Sequence, residues 1–298
     1  MNELFAADPA ICVNSSDLRL LLGSFGPYTG RYLAIYPTDW NHRIEAAAAT
    51  VGDVENARIK TILRRARDGL KVVMRTNLEW NESEPWLKNA SRHLPATFTV
   101  LVCGQSDPPT LINLSDLDLP ATAEERIIAE ANEYARVSKI LAVLSPELAL
   151  VDPYLNPLKN NYQKVLAALF AQIAKGRCQK ISLWARANVV YGTETQRSVD
   201  SALIELLRKL AANSNLKSGT QIEMILVEDE TSKSKMHGRY LLSIKGGIRF
   251  DQGFQQLPSG RKVEVGPTGQ VVHTELLDIY FDGIHDMDIR TRLIASPE

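Results

Sequence analysis

The sequence predicts an α/β protein in two parts, in which a smaller α/β domain precedes a larger one built on a mixed sheet with helices on both faces. The chain has 298 residues, of which 45% are hydrophobic and 23% charged, proportions that are typical of a soluble globular protein with room for two domains. Short apolar runs alternate with segments whose apolar residues recur every three or four positions. Strands and helices that alternate in this way favour a mostly parallel sheet covered on both faces.

The first predicted domain spans residues 1–118 and has the pattern of a small α/β unit. Residues 42–69 carry apolar side chains at helical spacing and end on Asp68-Gly69, which is a helix stop signal. No catalytic motif is evident in this domain, since the glycine-rich segment 23–30 lacks the Lys-Ser/Thr ending of a phosphate loop. The predicted strands are Tyr32–Tyr36, Val72–Arg75, Thr97–Cys103 and Thr110–Leu114.

A connecting helix is predicted between the two domains, within residues 119–145. Ala121–Leu144 has the pattern of one long helix, with Thr122 as its N-cap and Glu124-Glu125 in its first turn. Pro146 marks the end of this helix, because proline cannot continue it.

The second predicted domain, residues 146–298, alternates strands and helices more regularly. Functional groups on such a sheet gather at strand ends and in the loops after them, so Asp152, directly after the first strand, is a candidate site residue. The alternative is that Asp152-Pro153 simply begins a turn. The predicted elements are the strands Leu148–Val151, Lys180–Ala185, Gln221–Val227, Tyr240–Ile244, Ile248–Phe250 and Val271–Tyr280, and the helices Leu158–Ala174 and Thr195–Ala212.

Composition argues against several classes of protein. The net charge of −1 argues against a chain-wide electrostatic surface for nucleic acid. The three cysteines, Cys12, Cys103 and Cys178, are odd in number and far apart, which argues against a disulfide framework or a zinc site. The N-terminus lacks the pattern of a signal peptide, and no apolar run approaches the roughly 20 residues of a membrane span. We therefore expect a cytoplasmic protein with no transmembrane segment, metal or cofactor.

The stretch 235–248 contains the residue types that handle phosphate. His237 and Arg239 lie two positions apart, and on an extended chain such side chains point to the same face. The imidazole can attack or protonate, while the guanidinium offers a planar fork matched to phosphate oxygens. Two glycines follow, which let a backbone approach a ligand closely. The predicted phosphate-binding residues are Arg239, Lys245, Gly246, Gly247 and Arg249.

This stretch resembles the signature of the phospholipase-D superfamily, H-x-K-x4-D followed by a glycine-rich segment. His237 matches the nucleophilic histidine of the family, Arg239 stands in the place of its lysine, and Gly246-Gly247-Ile248 matches the glycine-rich segment. Ile244 occupies the position of the family's aspartate, so the residue that normally orients the site is replaced. The resemblance covers the C-terminal half of the chain and implies a domain that handles phosphodiesters.

A more specific likeness is to the phospholipase-D-like domain that accompanies MIT domains in membrane-trafficking proteins. That domain has a strand ending in D-P-Y, H-x-R in place of H-x-K, and a later H-x-E. The corresponding segments are Asp152-Pro153-Tyr154, His237-Gly238-Arg239 and His273-Thr274-Glu275. The likeness implies binding of a partner or a lipid head group without normal catalysis. No MIT-type three-helix hairpin is evident in the first half, so a trafficking role is not implied.

Catalysis of the phospholipase-D type needs two histidines, one that attacks and one that protonates the leaving group. The chain has one H-x-K-like segment, so an active site requires either a homodimer or the recruitment of another histidine. His273 is the candidate for that second role, with Glu275 to orient it. The alternative is that these two residues only form the polar face of the predicted strand.

Three functions follow as hypotheses. The preferred one is a protein that binds nucleic acid or another phosphodiester through a degenerate phospholipase-D-like site, which by resemblance is a component of a prokaryotic multi-protein defence system. The second is a metal-independent nuclease or phosphodiesterase that acts as a homodimer through His237. The third is a structural module that contacts other proteins, in which the spacing of His237 and Arg239 is accidental. A protein partner or a homodimer is expected.

Overall fold

The computed structural model describes residues 3–74, 78–106, 108–117, 119 and 124–297. Within these ranges the chain is an α/β protein with two separate sheets, as the alternation of strands and helices predicts. Two units are distinguished by their internal contacts, one of Asn2–Thr122 and one of Ala123–Glu298. None of the helices in the described ranges is long and apolar enough to cross a membrane.

The N-terminal unit is built on a parallel sheet, which has five strands among the described residues. The strands are β1 (Glu3–Ala7), β2 (Arg31–Ile35), β3 (Val72–Met74), β4 (Val100–Cys103) and β5 (Leu111–Asn113). Their order across the sheet is β3-β2-β1-β4-β5, and each neighbouring pair is parallel. The helices are α1 (Ser15–Gly23), α2 (Trp40–Ala49), α3 (Asp53–Asp68) and α4 (Trp86–Ser91).

Side chains from the sheet and from α1, α2 and α3 form a buried core in this unit, in which Leu18, Trp40 and Leu63 are among the helical contributions. The prediction of one helix over 42–69 is wrong, because the chain ends α2 and begins α3 around Gly52, whose φ of +131° favours glycine. The four strands predicted in this unit are present with shifted ends, and β1 is an additional strand. Arg75, the last residue of one predicted strand, lies outside the described residues.

The C-terminal unit contains a mixed sheet, which has eight strands in the described part of the chain. They are β6 (Glu125–Ile128), β7 (Glu147–Val151), β8 (Lys180–Arg186), β9 (Gln221–Val227), β10 (Tyr240–Ser243), β11 (Gly246–Phe250), β12 (Lys262–Pro267) and β13 (Ile289–Ala295). The order is β13-β9-β8-β7-β10-β11-β12-β6, with β7, β8 and β9 parallel and the other pairs antiparallel. The helices are α5 (Ala131–Leu144), α6 (Asn160–Ile173), α7 (Ala187–Tyr191), α8 (Gln196–Asn213) and α9 (Gln270–Tyr280).

Helices cover both faces of this sheet. Leu242 of β10 belongs to a buried cluster with Leu276 of α9, so α9 covers one face. Leu241 points to the opposite face, because side chains alternate along a strand, and it is also buried. On that second face Tyr134 of α5 stacks on Phe250 of β11 at 5.6 Å between ring centres, α5 packs on α6, and α6 packs on α8. The predicted mixed sheet between two helical layers is therefore present. The expectation of a mostly parallel sheet is wrong for this unit, because among the described strands only the β7–β8 and β8–β9 pairs are parallel.

The helix predicted over 121–144 is wrong in its first part. Glu125–Ile128 forms β6, in which Ile127 is buried and Arg126 makes an ion pair with Glu264 of β12. Pairing with a distant strand thus overrides the local helical pattern. The predicted N-cap, Thr122, lies outside the described residues. From Ala131 onward the segment is helical, and it packs on α6 within the C-terminal unit rather than acting as a separate connector.

The strand predicted over Val271–Tyr280 is also wrong, because this segment forms α9. Its buried residues are His273, Leu276 and Tyr280, which follow one another at intervals of three and four positions. That spacing is one face of a helix. The adjacent β-branched residues Val271 and Val272, which suggested a strand, are exposed.

Candidate functional site

A buried carboxylate marks the carboxyl end of β7. Asp152 follows this strand directly, and its two oxygens accept hydrogen bonds from the backbone N–H groups of Tyr154 (2.9 Å) and Phe254 (3.1 Å). Burial raises the pKa of Asp152, while these hydrogen bonds and the charge of Arg239 act in the opposite direction. Asp152 therefore does more than begin a turn, since it ties the end of β7 to the loop after β11.

A glycine lets that loop pass close to the carboxylate. Gly253 has a φ of +78°, and a Cβ atom at this position would lie 2.9 Å from Cγ of Asp152 and 3.1 Å from Cδ of Arg239. Both distances are too short for an ordinary contact, so a side chain here would displace the Asp152–Arg239 pair.

Arg239 lies against Asp152 and Tyr154 just before β10. Its Nε atom is 3.8 Å from Oδ1 of Asp152, and its Nη1 donates to the carbonyl oxygen of Asp251 at 2.9 Å. The guanidinium carbon lies 5.2 Å from the centre of the Tyr154 ring, which is within the range of a cation–π contact. Arg239 is thereby held in one place, with part of its fork open to solvent.

A second arginine, which the sequence motif does not include, contacts the same tyrosine. Arg186 ends β8, and its guanidinium carbon lies 5.3 Å from the centre of the Tyr154 ring. Its Nη2 donates to the carbonyl oxygen of Met236 at 3.2 Å, and its Nε lies 3.0 Å from Oδ2 of Asp229 as an ion pair. The only sequence signal for Arg186 is its position at the end of a predicted strand, where functional groups on such sheets gather.

His237 lies in the exposed loop between β9 and β10. Met236, just before it, is fully buried in the α9 cluster, and its N–H donates to Oδ1 of Asp229 at 2.9 Å. The imidazole of His237 is exposed and has no hydrogen bond or ion pair with any other described residue. It is therefore accessible to a ligand, but no protein group within the described ranges orients it.

The extended His-x-Arg geometry expected from the sequence is wrong. Gly238 has a φ of +72°, and a Cβ atom there would lie 2.5 Å from Cζ of Tyr240. The chain thus bends at Gly238 so that the Tyr240 ring can pack beside it. The alternation that would put His237 and Arg239 on one face of a strand does not apply at this position.

Several predicted site residues lie at the other end of the strands, away from Arg239. Because β10 is antiparallel to β7, Tyr240 is opposite Val151 at the carboxyl end of β7, whereas Leu242 is opposite Ala149 nearer its amino end. Ser243 is three positions along the strand from Tyr240, a distance of about 10 Å. The structure therefore does not bring the turn after β10 together with Arg239. This turn and its surroundings contain Ile244, Lys245, Gly246, Gly247 and His273.

His273 and Glu275 do not form a catalytic pair. His273 is buried on α9, where its Nε2 lies 2.9 Å from the carbonyl oxygen of Ser243, and burial lowers its pKa. Glu275 is exposed, because two residues along a helix turn the side chain by about 200°. A Cβ atom at Gly247 would lie 3.2 Å from Cδ2 of His273, so this glycine makes room for the histidine. His273 thus stabilises the β10–β11 hairpin.

The other residues predicted to bind phosphate are buried or make contacts within the protein away from Arg239. Lys245 is mostly buried, and burial lowers its pKa. Arg249, opposite Tyr240 on β11, makes an ion pair with Glu124. Ile244, at the position of the family's aspartate, is 50% exposed in the turn and is remote from Arg239. Of the residues predicted to bind phosphate, Arg239 alone lies beside Asp152 within the described part of the chain.

The structure places a further histidine, His285, in a loop that is hydrogen-bonded to the loop of His237. His285 lies in the loop after α9, with its Nδ1 accepting the N–H of Met287 at 3.1 Å and its ring 5.9 Å from that of Trp184. This loop runs beside the loop of His237, since the N–H of Lys233 donates to the carbonyl oxygen of Asp286 at 3.2 Å. Met287 and Met236 belong to one buried cluster. No sequence motif marks His285.

Comparisons with known proteins leave the family of this chain open. No family model matches the sequence, and no curated protein is similar to it. Among solved structures, the chain superposes on TrmBL2, an archaeal chromatin protein described as showing a novel mode of DNA binding, with 11% identity, a TM-score of 0.28, and coverage of 91% of this chain and 93% of that one. A superposition of this quality carries no argument about function, which therefore depends on the geometry of the site itself.

Proposed function

We propose that the C-terminal unit is a phospholipase-D-like module that binds a phosphodiester, carried by nucleic acid, at the carboxyl end of β7 and β8. The observation that supports this most directly is the placement of two guanidinium groups, those of Arg186 and Arg239, on the ring of Tyr154. Guanidinium forks match phosphate oxygens, and an exposed aromatic ring provides a surface on which a base can stack. Tyr154 is 46% exposed, so a base would stack on the part of the ring that the two guanidinium groups leave uncovered.

Binding without cleavage is favoured by what surrounds His237. A nucleophilic histidine needs a partner that holds the correct tautomer, and His237 has none among the described residues. Asp152 contacts Arg239, Ile244 lies at the other edge of the sheet, and His273 is buried there. In this proposal His237 contributes one hydrogen bond to the bound phosphate.

The proposal is tested by fluorescence anisotropy with labelled single- and double-stranded DNA and RNA of about one helical turn. Wild-type protein is compared with Arg239→Ala and with Arg208→Ala, a matched control in which an exposed arginine of α8 is removed. We expect Arg239→Ala to weaken binding about tenfold or more, since a charge-assisted hydrogen bond contributes about 1.5–3 kcal/mol. Equal binding by the two variants, or no binding by the wild type, would refute the proposal.

A second candidate function, metal-independent hydrolysis, would use His285 as the second histidine, because its loop is hydrogen-bonded to the loop that carries His237. Because its Nδ1 accepts a backbone N–H, the neutral ring carries its proton on Nε2. The general acid is the imidazolium form, so His285 would have to take up a proton on Nδ1 and give up this hydrogen bond before it could protonate a leaving oxygen. His237 would then attack phosphorus, and the P–O bond to the leaving group would break as the imidazolium of His285 donates its proton. Water would hydrolyse the P–N bond, and the neutral His285 would take up the proton that the water loses. Cleavage in EDTA that is lost in both His237→Ala and His285→Ala supports this candidate. An absence of cleavage by the wild type excludes it.

A further inference from the structure

A cavity of the N-terminal unit lies at the carboxyl ends of its parallel strands. The strand order β3-β2-β1-β4-β5 reverses direction at β1, and ligands of open parallel sheets bind beyond the carboxyl ends of the strands at such a point. The cavity has a volume of about 380 Å³ and is lined by the turn after β1, by α2, which follows β2, and by residues between β3 and the first turn of α4. This volume is within the range of small-molecule sites.

Two tryptophans line this cavity, and contacts within the unit hold both of them in place. The indole N–H of Trp86 donates to the carbonyl oxygen of Tyr36 at 3.1 Å. The guanidinium carbon of Arg43 lies 5.0 Å from the centre of the Trp80 ring, and Nη2 of the same arginine donates to both carboxylate oxygens of Glu82 at 2.8 Å. The aromatic part of the lining is therefore in place before a ligand binds.

Acidic side chains outnumber basic ones three to one in the lining of this cavity. Two of the three carboxylates have a partner of opposite charge, since Glu82 pairs with Arg43 and Glu84 pairs with Lys88, each at 2.8 Å. Asp8, directly after β1, has no ion pair with any residue in the described ranges. It is partly buried, and burial raises the pKa of its carboxyl. The cavity thus contains a carboxylate whose charge the described residues do not neutralise.

We propose that this cavity binds a small organic amine, with the ammonium group on Asp8 and the apolar part of the ligand against Trp80 and Trp86. Oδ1 of Asp8 accepts the N–H of Ala10 at 2.9 Å, whereas Oδ2 has no hydrogen-bond donor among the described residues. An ammonium group supplies both a donor and the missing positive charge. Indole rings attract cations and bury apolar groups, whereas the surplus of carboxylates repels a phosphate or carboxylate ligand.

The test compares two probes that have almost the same shape and differ in charge, phenethylamine and phenethyl alcohol. Their binding to the full-length protein at neutral pH is measured by a nuclear magnetic resonance titration. We expect phenethylamine to bind with a Kd below about 1 mM and phenethyl alcohol to bind at least about tenfold more weakly, because a charge-assisted hydrogen bond is lost. Asp8→Asn keeps the oxygen that accepts the N–H of Ala10 but removes the charge, so it should abolish the preference for the amine. The matched control, Asp53→Asn, removes an exposed carboxylate outside the cavity and should preserve the preference.

A second pair of variants tests whether the amine enters the cavity itself. Ala46 lines the cavity and is exposed on α2, so Ala46→Trp should fill the cavity without disturbing the core and weaken phenethylamine binding at least about tenfold. Ala49→Trp, on an exposed position of the same helix outside the lining, should leave binding unchanged. Three results would overturn the inference: no saturable binding of phenethylamine, equal affinity of the wild type for both probes, or equal effects within either pair of variants. The oligonucleotide assay with Arg239→Ala concerns the other unit, so the two proposals succeed or fail independently.

Discussion

Alanine variants of Gly253 and Gly260, compared with each other, should separate two free-energy costs: that of a left-handed backbone and that of disturbing Asp152. Gly253 and Gly260 have almost the same φ, +78° and +79°. A Cβ atom at Gly260 meets nothing within 4 Å, whereas one at Gly253 would overlap the carboxylate of Asp152. The two glycines therefore form a matched pair in which one variable differs.

The expected magnitudes follow from these contacts. An L-residue in the left-handed region costs about 1–2 kcal/mol, which applies to both alanine variants. In Gly253→Ala the Asp152 side chain must also move away from the N–H of Phe254, and an unsatisfied buried donor costs about 1–3 kcal/mol more. We therefore expect Gly253→Ala to destabilise the C-terminal unit by about 2–5 kcal/mol and Gly260→Ala by about 1–2 kcal/mol.

Amide hydrogen exchange of β7, measured by mass spectrometry, reports on the C-terminal unit directly and does not require that the two units unfold together. Gly253→Ala should accelerate exchange in β7 more than Gly260→Ala does. It should also weaken oligonucleotide binding, because Arg239 touches the same Cβ position. Equal effects of the two substitutions on exchange would show that the Asp152 contact does not stabilise the unit. The claim that Asp152 ties β7 to the loop after β11 would then be refuted.

Four further predictions concern the same unit. Burial lowers the pKa of His273 below its usual 6.5, so the unfolded chain binds the proton more readily than the folded one. The free energy of unfolding should therefore fall as the pH drops below 6.5. His273→Gln should remove this part of the pH dependence, which is measured by urea unfolding. Tyr154→Ala should weaken binding of single-stranded oligonucleotides by about 1–3 kcal/mol while Tyr154→Phe preserves it, and equal affinities in anisotropy would contradict stacking. Asp152→Asn should weaken binding, because an amide oxygen can replace only one of the two carboxylate oxygens that accept backbone N–H groups and the arginine loses its ion pair, and tighter binding would show that the charge of the carboxylate opposes the ligand. With two phosphate contacts, affinity for single strands should fall about sevenfold between about 50 and 200 mM salt, and a much steeper decline in a salt titration would indicate a larger basic surface.

The central strands of the C-terminal sheet are predictable, because they and the helices between them follow from local sequence patterns. The apolar runs at β7, β8 and β9, separated by amphipathic helices, predict parallel strands between helical layers, and this is what the structure contains. The segment Glu125–Ile128 is not predictable in the same way. Its helix-forming residues form β6 only because β12, more than 130 residues later, offers a strand to pair with.

The candidate site is less predictable than the sheet, because its residues meet only through the fold. His237 and Arg239 are found by their motif, but the spacing cannot show that Gly238 bends the chain between them. The motif extends along β10 to Ile244, whereas the length of that strand places Ile244 at the opposite edge of the sheet. Arg186 belongs to no motif and is brought to Tyr154 by the register of β8 with β7.

The contacts that fix Arg239 also limit the kind of ligand that the site can bind. Asp152 and Asp229 neutralise much of the charge of Arg239 and Arg186, so the site attracts polyanions weakly over distance. What it offers is geometry: a guanidinium fork that is already held in place, and an exposed ring beside it. A rigid arginine loses less side-chain entropy on binding than a free one does, which offsets part of the missing charge. Such a site should favour a single phosphate next to an unstacked base over a long duplex, which is consistent with a chain whose net charge is −1.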